Sequence, residues 1–268
     1  MTIDLQAERL LLAYDHATRA ALPTAGDVGF DLERGYAVAH AIRDRRLARG
    51  ERQVGYKIGF TNRTIWPRYG VYGPIWGPVW NTTTLLLDSS KAEVSLGSLV
   101  QPRLEPEIAF GFASAPRAGM SEADLAGCIE WVAHSFEVVH THFEEWRFQA
   151  ADTVADFALH GRLIVGPRIP IGRFNSPATE LAALTVQLLR DGTVIDEGRG
   201  SNVLDGPLTA LRLWVDAMLA QPHGWPIEAG HIVTTGTLTD AAPLLPGQLW
   251  TTRLSEPRLS ALTLRTLA

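Results

Sequence analysis

The chain has 268 residues, a formal net charge of −5 and a pI near 5.9, and its scattered basic residues give no electrostatic footprint for nucleic acid or an anionic membrane. Hydrophobic residues make up 46% and charged residues 20%. That supplies apolar material for one large core, so residues 1–268 read as a single domain. Cys128 is the only cysteine, which excludes an internal disulfide and a Cys-rich zinc site. The first residues carry acids early and lack a signal peptide's apolar core. No apolar run approaches the ~20 residues of a membrane span. A cytoplasmic location is the default expectation.

Residues 3–21 predict an amphipathic helix, with Ile3, Ala7, Leu10, Tyr14, Ala17 and Ala21 at spacings of three and four, closed by Leu22-Pro23. A second helix is predicted over 31–47, with Gly50 as its stop. Arg43, Arg45, Arg46 and Arg49 stand near its end, where positive charge suits the helix dipole. These helices make an N-terminal layer, residues 1–50. From Val54 the composition turns to β-branched and aromatic residues broken by Gly and Pro, predicting strands near 54–60, 79–87 and 104–112. Ser121, with Asp124 three residues on, is a near capping box for a helix over 121–134. A strand follows at 136–140, then a mostly helical 144–159 ended by Gly161, then a strand at 163–165. Asp191-Gly192 between 184–190 and 193–197 signals a tight hairpin. Pro207 opens a helix to Leu219, and strands near 231–235, 248–254 and 260–266 close the chain. The fold class is α+β, with helices first and a β-rich body, residues 51–268.

Three carboxylates and one lysine stand out. In Arg103-Leu-Glu-Pro-Glu-Ile-Ala-Phe110, strand alternation places Arg103, Glu105 and Glu107 on one face and Leu104, Pro106, Ile108 and Phe110 on the other. Pro106 fits an edge or irregular strand. Glu137 lies in the apolar Ser135-Phe-Glu-Val-Val139, where an unpaired buried charge is costly. Each acid alone also reads as part of a solvated face. Brought together, they would repel unless a hard divalent cation joined them, and an oxygen-only set suits Mg²⁺ or Mn²⁺ better than Zn²⁺. Lys57, between glycines in Gly55-Tyr-Lys-Ile-Gly59, reads either as a ligand-approach site or as an exposed edge residue.

Gly55-Tyr-Lys57-Ile-Gly-Phe-Thr, Leu-Glu105-Pro-Glu107-Ile-Ala-Phe, Phe-Glu137-Val-Val and Asp152-Thr-Val-Ala-Asp156 resemble, in this order, the fumarylacetoacetate hydrolase superfamily. The nearest branch looks like the 2-keto-4-pentenoate hydratases and 4-oxalocrotonate decarboxylases of aromatic catabolism. The resemblance covers the chain from about residue 5 to its end. It implies a mixed β-sandwich roll, Mg²⁺ or Mn²⁺ on Glu105, Glu107 and Glu137, Lys57 beside the substrate, and a homo-oligomer. Val233-Thr-Thr-Gly236-Thr237 looks like the family's segment at the substrate carboxylate, so Gly236 and Thr237 are further site candidates. The implied activity is that of a lyase acting on a small 2-hydroxydienoate or 2-oxo-enoate through a metal-stabilised enolate, a hydratase first. The alternatives are a decarboxylase, a C–C bond hydrolase or a non-catalytic partner subunit.

The chain also departs from that pattern. The hydratases' Pro-Asp-aromatic-Gly becomes Pro74-Ile75-Trp76-Gly77. Asn-Ala-Ser after the Asp152 motif becomes Phe157-Ala158-Leu159-His160, and Asp-Ser-Arg after the third Glu becomes His140-Thr141-His142. Imidazoles with a pKa near ~6.5 can serve as acid or base, or stand behind the ligands or at the surface. Residues 65–69 and 74–76, with Trp66 and Trp76, predict a hydrophobic pocket wall, and Trp76 a substrate contact. The same tryptophans, with Trp80, also read as core.

Overall fold

The structure, a computed structural model, describes residues 1–221 and 224–268, and only the backbone of Ile65, Arg68 and Tyr69. The N-terminal layer consists of α1 (Ile3–His16), the one-turn α2 (Pro23–Gly26) and α3 (Leu32–Ala48). The body then runs β1 (Gln53–Gly59), α4 (Trp66–Tyr69), β2 (Ile75–Trp80), β3 (Thr84–Leu86), β4 (Lys91–Ser95), β5 (Arg103–Phe112), α5 (Glu122–Ala126), β6 (Ile129–Val139) and α6 (Ala150–Ala155). It continues β7 (His160–Val165), β8 (Ile169–Pro170), α7 (Pro177–Ala183), β9 (Thr185–Arg190), β10 (Thr193–Arg199), α8 (Pro207–Ala220), β11 (Ile232–Thr234), β12 (Ala242–Pro243), β13 (Leu249–Leu254) and β14 (Thr263–Leu267).

One mixed sheet has the order β2-β1-β11-β5-β6-β7-β3, with β12 on β5 and β8 on β6. The second has the order β10-β9-β13-β14-β4. Leu104, Phe136, Val138 and Ile164 of the first pack against Leu188, Trp250 and Leu264 of the second. Farther along, Ile108, Phe110 and Val132 meet Leu211, Trp214 and Val215 of α8. Alternation along β5 and β6 commits this apolar set to the core and leaves Glu105, Glu107 and Glu137 on the opposite face. This is the α+β sandwich roll expected.

Several boundaries differ. The first helix stops at His16, not residue 21, because Ala17 takes a left-handed φ of 50° and its N–H turns back to Ala13 and Tyr14. The capping box at Ser121 forms, but its helix has only five residues. Residues 129–139 are a strand, since β5 offers a full ladder from Arg103↔Val139 to Phe112↔Ile129. Tertiary pairing there overrides a local helix start. The segment 79–87 divides into β2 and β3 around Asn81–Thr83, and 144–159 contains a single six-residue α-helix. The hairpin at Asp191-Gly192 and the helix from Pro207 are as predicted.

Arg46 belongs to the core, not to a helix-end charge cluster. It is 2% exposed and sits over the rings of Tyr14, Trp80 and Phe157. Its guanidinium pairs with Glu51 at 2.7 and 3.1 Å. The planar, bidentate group joins α1, β2 and the α6–β7 turn in one stack. Gly55 lets β1 close on β11, for a Cβ there would lie 1.8 Å from the Ile232 carbonyl oxygen.

Candidate metal centre

Register brings the acids together. Glu105 and Glu137 are paired directly across β5 and β6, and Glu107 follows two residues on, opposite Ser135. One carboxylate oxygen from each lies within 4.8 Å of the others. Pro106 is tolerated because its side of β5 falls between the pairings with β12, at 103–104, and β11, at 109–111. Its carbonyl accepts instead from Leu238 N–H at 2.8 Å. That gap admits Thr235-Gly236-Thr237 over the carboxylates, and Gly236 N–H donates to Glu107 Oε2 at 3.0 Å. Only glycine fits here: φ is 100°, and a Cβ would lie 1.9 Å from Thr61 Oγ1.

Lys57 reaches the same point from β1, its Nζ 3.1 Å from Glu137 Oε2 in an ion pair. His160 Nδ1 donates to Glu137 Oε1 at 2.8 Å, and Thr83 Oγ1 is 2.8 Å from His160 Nε2. Glu107 Oε1 is buried with no hydrogen-bond partner among the described residues, and the buried Glu137 Oε2 is met only by the Lys57 ammonium. Such atoms are expensive in isolation. These two carboxylate oxygens beside a third carboxylate form a donor set fitted to a hard divalent cation.

The acids titrate apart. Burial, then repulsion from Glu137 and Glu105, pushes Glu107 well above the carboxylate range. Burial pushes Glu105 up to about 7, against the pull of Lys57. Burial also works against the Glu137 anion, but Lys57 and His160 outweigh it and hold the group below its usual value. Burial works against the Lys57 ammonium too, and the three carboxylates overcome it and raise its pKa. Lys57 is therefore a fixed positive charge.

A pocket of about 460 Å³ opens over Lys57 and Glu105, with Arg103, Thr61, Trp146, Gly236 and Thr237 in its walls. Thr237 Oγ1 donates to the Thr239 carbonyl. Trp76 does not share this pocket. It packs 5.0 Å from the Tyr36 ring and lines a neighbouring apolar cleft of about 750 Å³ with His40, Val71 and Ile75. Ile75 borders both spaces. Of the wall expected at 65–69, Ile65 and Tyr69 lie outside the described side chains, and Trp66 donates its Nε1–H to the Phe60 carbonyl.

No family model matches the chain. A 2-hydroxyhexa-2,4-dienoate hydratase of Comamonas testosteroni is 31% identical over 91% of this chain and 89% of its own. Among solved structures, 4-oxalocrotonate decarboxylase from Pseudomonas putida G7, complexed with magnesium and adipate, superposes with a TM-score of 0.90. It is 26% identical and covers 99% of this chain and 97% of that one. The chain belongs to the family of these 2-hydroxydienoate hydratases and 4-oxalocrotonate decarboxylases. A fumarylacetoacetate hydrolase family protein of Yersinia pestis CO92 shares the fold alone, at a TM-score of 0.56 and 15% identity over 79% of this chain and 92% of that one.

The imidazoles of His140, His142 and His160 sit behind the pocket, not in its lining. His140 and His142 are fully buried with their rings 4.8 Å apart, next to Tyr14 of the N-terminal layer. Burial lowers His140 to about 3, which removes it as an acid–base group near neutral pH. The Asp152 motif is structural. Asp152 accepts from Thr24 N–H, Thr24 Oγ1 and Gln149 N–H, while Asp156 accepts from Thr141 Oγ1, His142 N–H and His142 Nδ1. Sequence reasoning gave Arg103, Thr61 and Trp146 no site role. Arg103 carried a signal, sharing the strand face of Glu105. Thr61 and Trp146 carried none.

Proposed function

We propose that the chain is a divalent-metal-dependent lyase of small 2-hydroxydienoates or 2-oxo-enoates, a hydratase of the 2-keto-4-pentenoate type. Glu105, Glu107 and Glu137 would hold Mg²⁺ or Mn²⁺. The observation that carries this reading is the convergence within 4.8 Å of three carboxylates, with Glu107 Oε1 lacking a hydrogen-bond partner among the described residues and Glu137 Oε2 met only by the Lys57 ammonium. A cation there supplies positive charge where a 2-oxo acid accumulates negative charge on its carboxylate and 2-oxygen. Lys57 adds a buried ammonium at the same place, and Gly236 and Thr237 border the carboxylate end. The apolar wall provided by Ile58, Ile75, Val139 and Leu159 excludes water from the conjugated chain. We place the enzyme in the cytoplasm as a homo-oligomer, without nucleic-acid or membrane partners. No helix among the described residues is long and apolar enough to cross a membrane.

The test is loss of the dienoate ultraviolet absorbance on adding enzyme and Mg²⁺ or Mn²⁺ after chelator treatment. Turnover that needs the cation and vanishes in Glu107→Gln is expected. Cation-independent turnover would sink the reading. A second reading, decarboxylation of a 2-oxo-dicarboxylic acid, is favoured by Arg103. Its guanidinium stacks 4.2 Å from the Trp146 ring in the pocket wall, suited to a distal carboxylate. Release of CO₂ from a dicarboxylate, reduced in Arg103→Gln, distinguishes it.

A further inference from the structure

We propose that His160 is a positioning residue for the metal ligand Glu137, and that Thr83 sets it. The inference rests on the reading that Glu105, Glu107 and Glu137 hold a divalent cation. A carboxylate offers two equivalent oxygens, and a rotation of its terminal torsion exchanges them at little cost. Around Glu137 the two are made different. Oε1 accepts from His160 Nδ1 at 2.8 Å, while Oε2 faces the carboxylate cluster and is met only by the Lys57 ammonium, at 3.1 Å. The imidazole therefore assigns Oε1 to the protein and Oε2 to the ligand site. Gly236 N–H makes the matching assignment on Glu107, taking Oε2 and leaving Oε1.

Thr83 determines which His160 nitrogen carries the proton. An ionised Glu137 accepts only, so Nδ1 is the protonated atom. The neutral ring then presents the lone pair of Nε2 to Thr83 Oγ1 at 2.8 Å, and the hydroxyl donates to it. The hydroxyl is itself held. Trp80 N–H donates to Thr83 Oγ1 at 3.3 Å, Thr83 N–H donates to the Trp80 carbonyl at 3.0 Å, and the Thr83 carbonyl accepts from Leu163 N–H at 2.9 Å. Thr83 Oγ1 also lies 3.2 Å from the Trp80 carbonyl, but its one proton goes to the closer Nε2 at 2.8 Å, so the donors lead through His160 to Glu137. All of these side chains are buried. His160 lines no part of the pocket, so it acts through Glu137 and not on substrate. Partners that orient ligating groups in this manner commonly change cation affinity by ~10–100-fold when removed.

The experiment titrates Mg²⁺ and Mn²⁺ into chelator-stripped protein and follows the thermal unfolding midpoint for wild type, Glu107→Gln, His160→Leu, His160→Asn and Thr83→Val. The half-saturating cation concentration should rise roughly 10–100-fold in His160→Leu. It should rise less in Thr83→Val, and return to within about threefold of wild type in His160→Asn, whose amide can place a donor near the Nδ1 position. A packing role alone would lower the metal-free midpoint of His160→Leu and leave its half-saturating concentration at the wild-type value. That result overturns the proposal. If His160→Leu does not fold, Thr83→Val decides, and a wild-type concentration there overturns it equally. A wild type unresponsive to either cation removes the metal reading and this inference together. A responsive wild type, with Glu107→Gln silent and His160→Leu unchanged, removes this inference alone.

Discussion

Glu107→Gln separates metal binding from folding. Glu107 is 0% exposed, and burial with its acidic neighbours pushes its carboxyl well above the usual range, which favours its neutral form in the metal-free protein. Glutamine has the same shape, is also neutral, and can still accept from Gly236 N–H through its carbonyl oxygen. The metal-free variant should therefore unfold within ~2 °C of wild type, since no buried group loses its partner. The response to cation should differ sharply. At a cation concentration of ~100 times Kd, binding to the native state stabilises by ~2.7 kcal/mol. At roughly 2–4 °C per kcal/mol for a chain of this size class, the wild-type midpoint should rise ~5–10 °C. The variant loses an anionic ligand, and its midpoint should move by less than ~2 °C at the same concentration. Scanning fluorimetry after EDTA treatment and desalting reads both quantities. An equal rise in the two proteins would show that the cation binds elsewhere, and a collapse of the metal-free variant would show that Glu107 is ionised and structurally paired.

Gly236→Ala should lower stability by ~2 kcal/mol or more in urea unfolding, because φ is 100° and the new methyl meets Thr61 Oγ1. It should also weaken cation binding through the displaced N–H on Glu107. Asp156→Asn removes one charged acceptor from a fully buried site with three donors. We expect a loss of ~2–4 kcal/mol with an unchanged half-saturating cation concentration. A shifted cation concentration there would give Asp156 a role in the site that its contacts do not explain. Between pH about 4.5 and 6.5 the buried acids and the buried histidines pull metal-free stability in opposite directions. Glu105, raised to about 7, and Glu107, also raised by burial, bind more protons folded than unfolded and give a negative slope, while His134, lowered to about 4, and His140, lowered to about 3, bind fewer and give a positive one; Glu107→Gln should therefore make the metal-free slope more positive than that of wild type. Glu137 titrates below its usual value, and its contribution is lost only at lower pH. Urea midpoints across pH 5–7.5 check the sign.

The legible part of the fold was the part with local causes. Asp191-Gly192 demanded its turn, Pro207 opened its helix, and alternation along residues 103–112 already assigned Glu105 and Glu107 to one face. Convergence with Glu137 was not legible from spacing, since it depends on β5–β6 register, a pairing across 32 residues of chain. That register is also why residues 129–134 became strand despite a sound cap at Ser121. The family resemblance supplied the triad that periodicity could not. Trp76 shows the opposite failure. An aromatic residue near the Lys57 strand in sequence was assigned to the pocket, yet β2 alternation turns it toward Tyr36 and the next cleft. His160 stood out only as one of the imidazoles added where the chain departs from the family pattern; its place on Glu137 was not legible, because Glu137 lies on the adjacent strand and Thr83 on a turn beyond.

Charge counting around the triad leads to a last prediction. Three carboxylates against one ammonium leave two negative charges, the complement of one divalent cation. Without the cation the same balance is reached by protons. Burial and mutual repulsion drive Glu105 and Glu107 toward their acids, while Lys57 and His160 keep Glu137 ionised. The buried cluster is then close to neutral in both states, which is what a low-dielectric surrounding demands. Cation entry becomes an exchange, one M²⁺ in and up to two protons out. Apparent affinity should accordingly rise with pH below about 7, steeply at pH 6 and more gently once Glu105 has ionised. Calorimetric titration of Mn²⁺ at pH 6 in two buffers of different ionisation enthalpy gives the proton count directly. Release of about one to two protons per cation is expected. Release of none would mean that all three acids are ionised before the cation arrives, and that Lys57 alone is holding two unbalanced charges in the core.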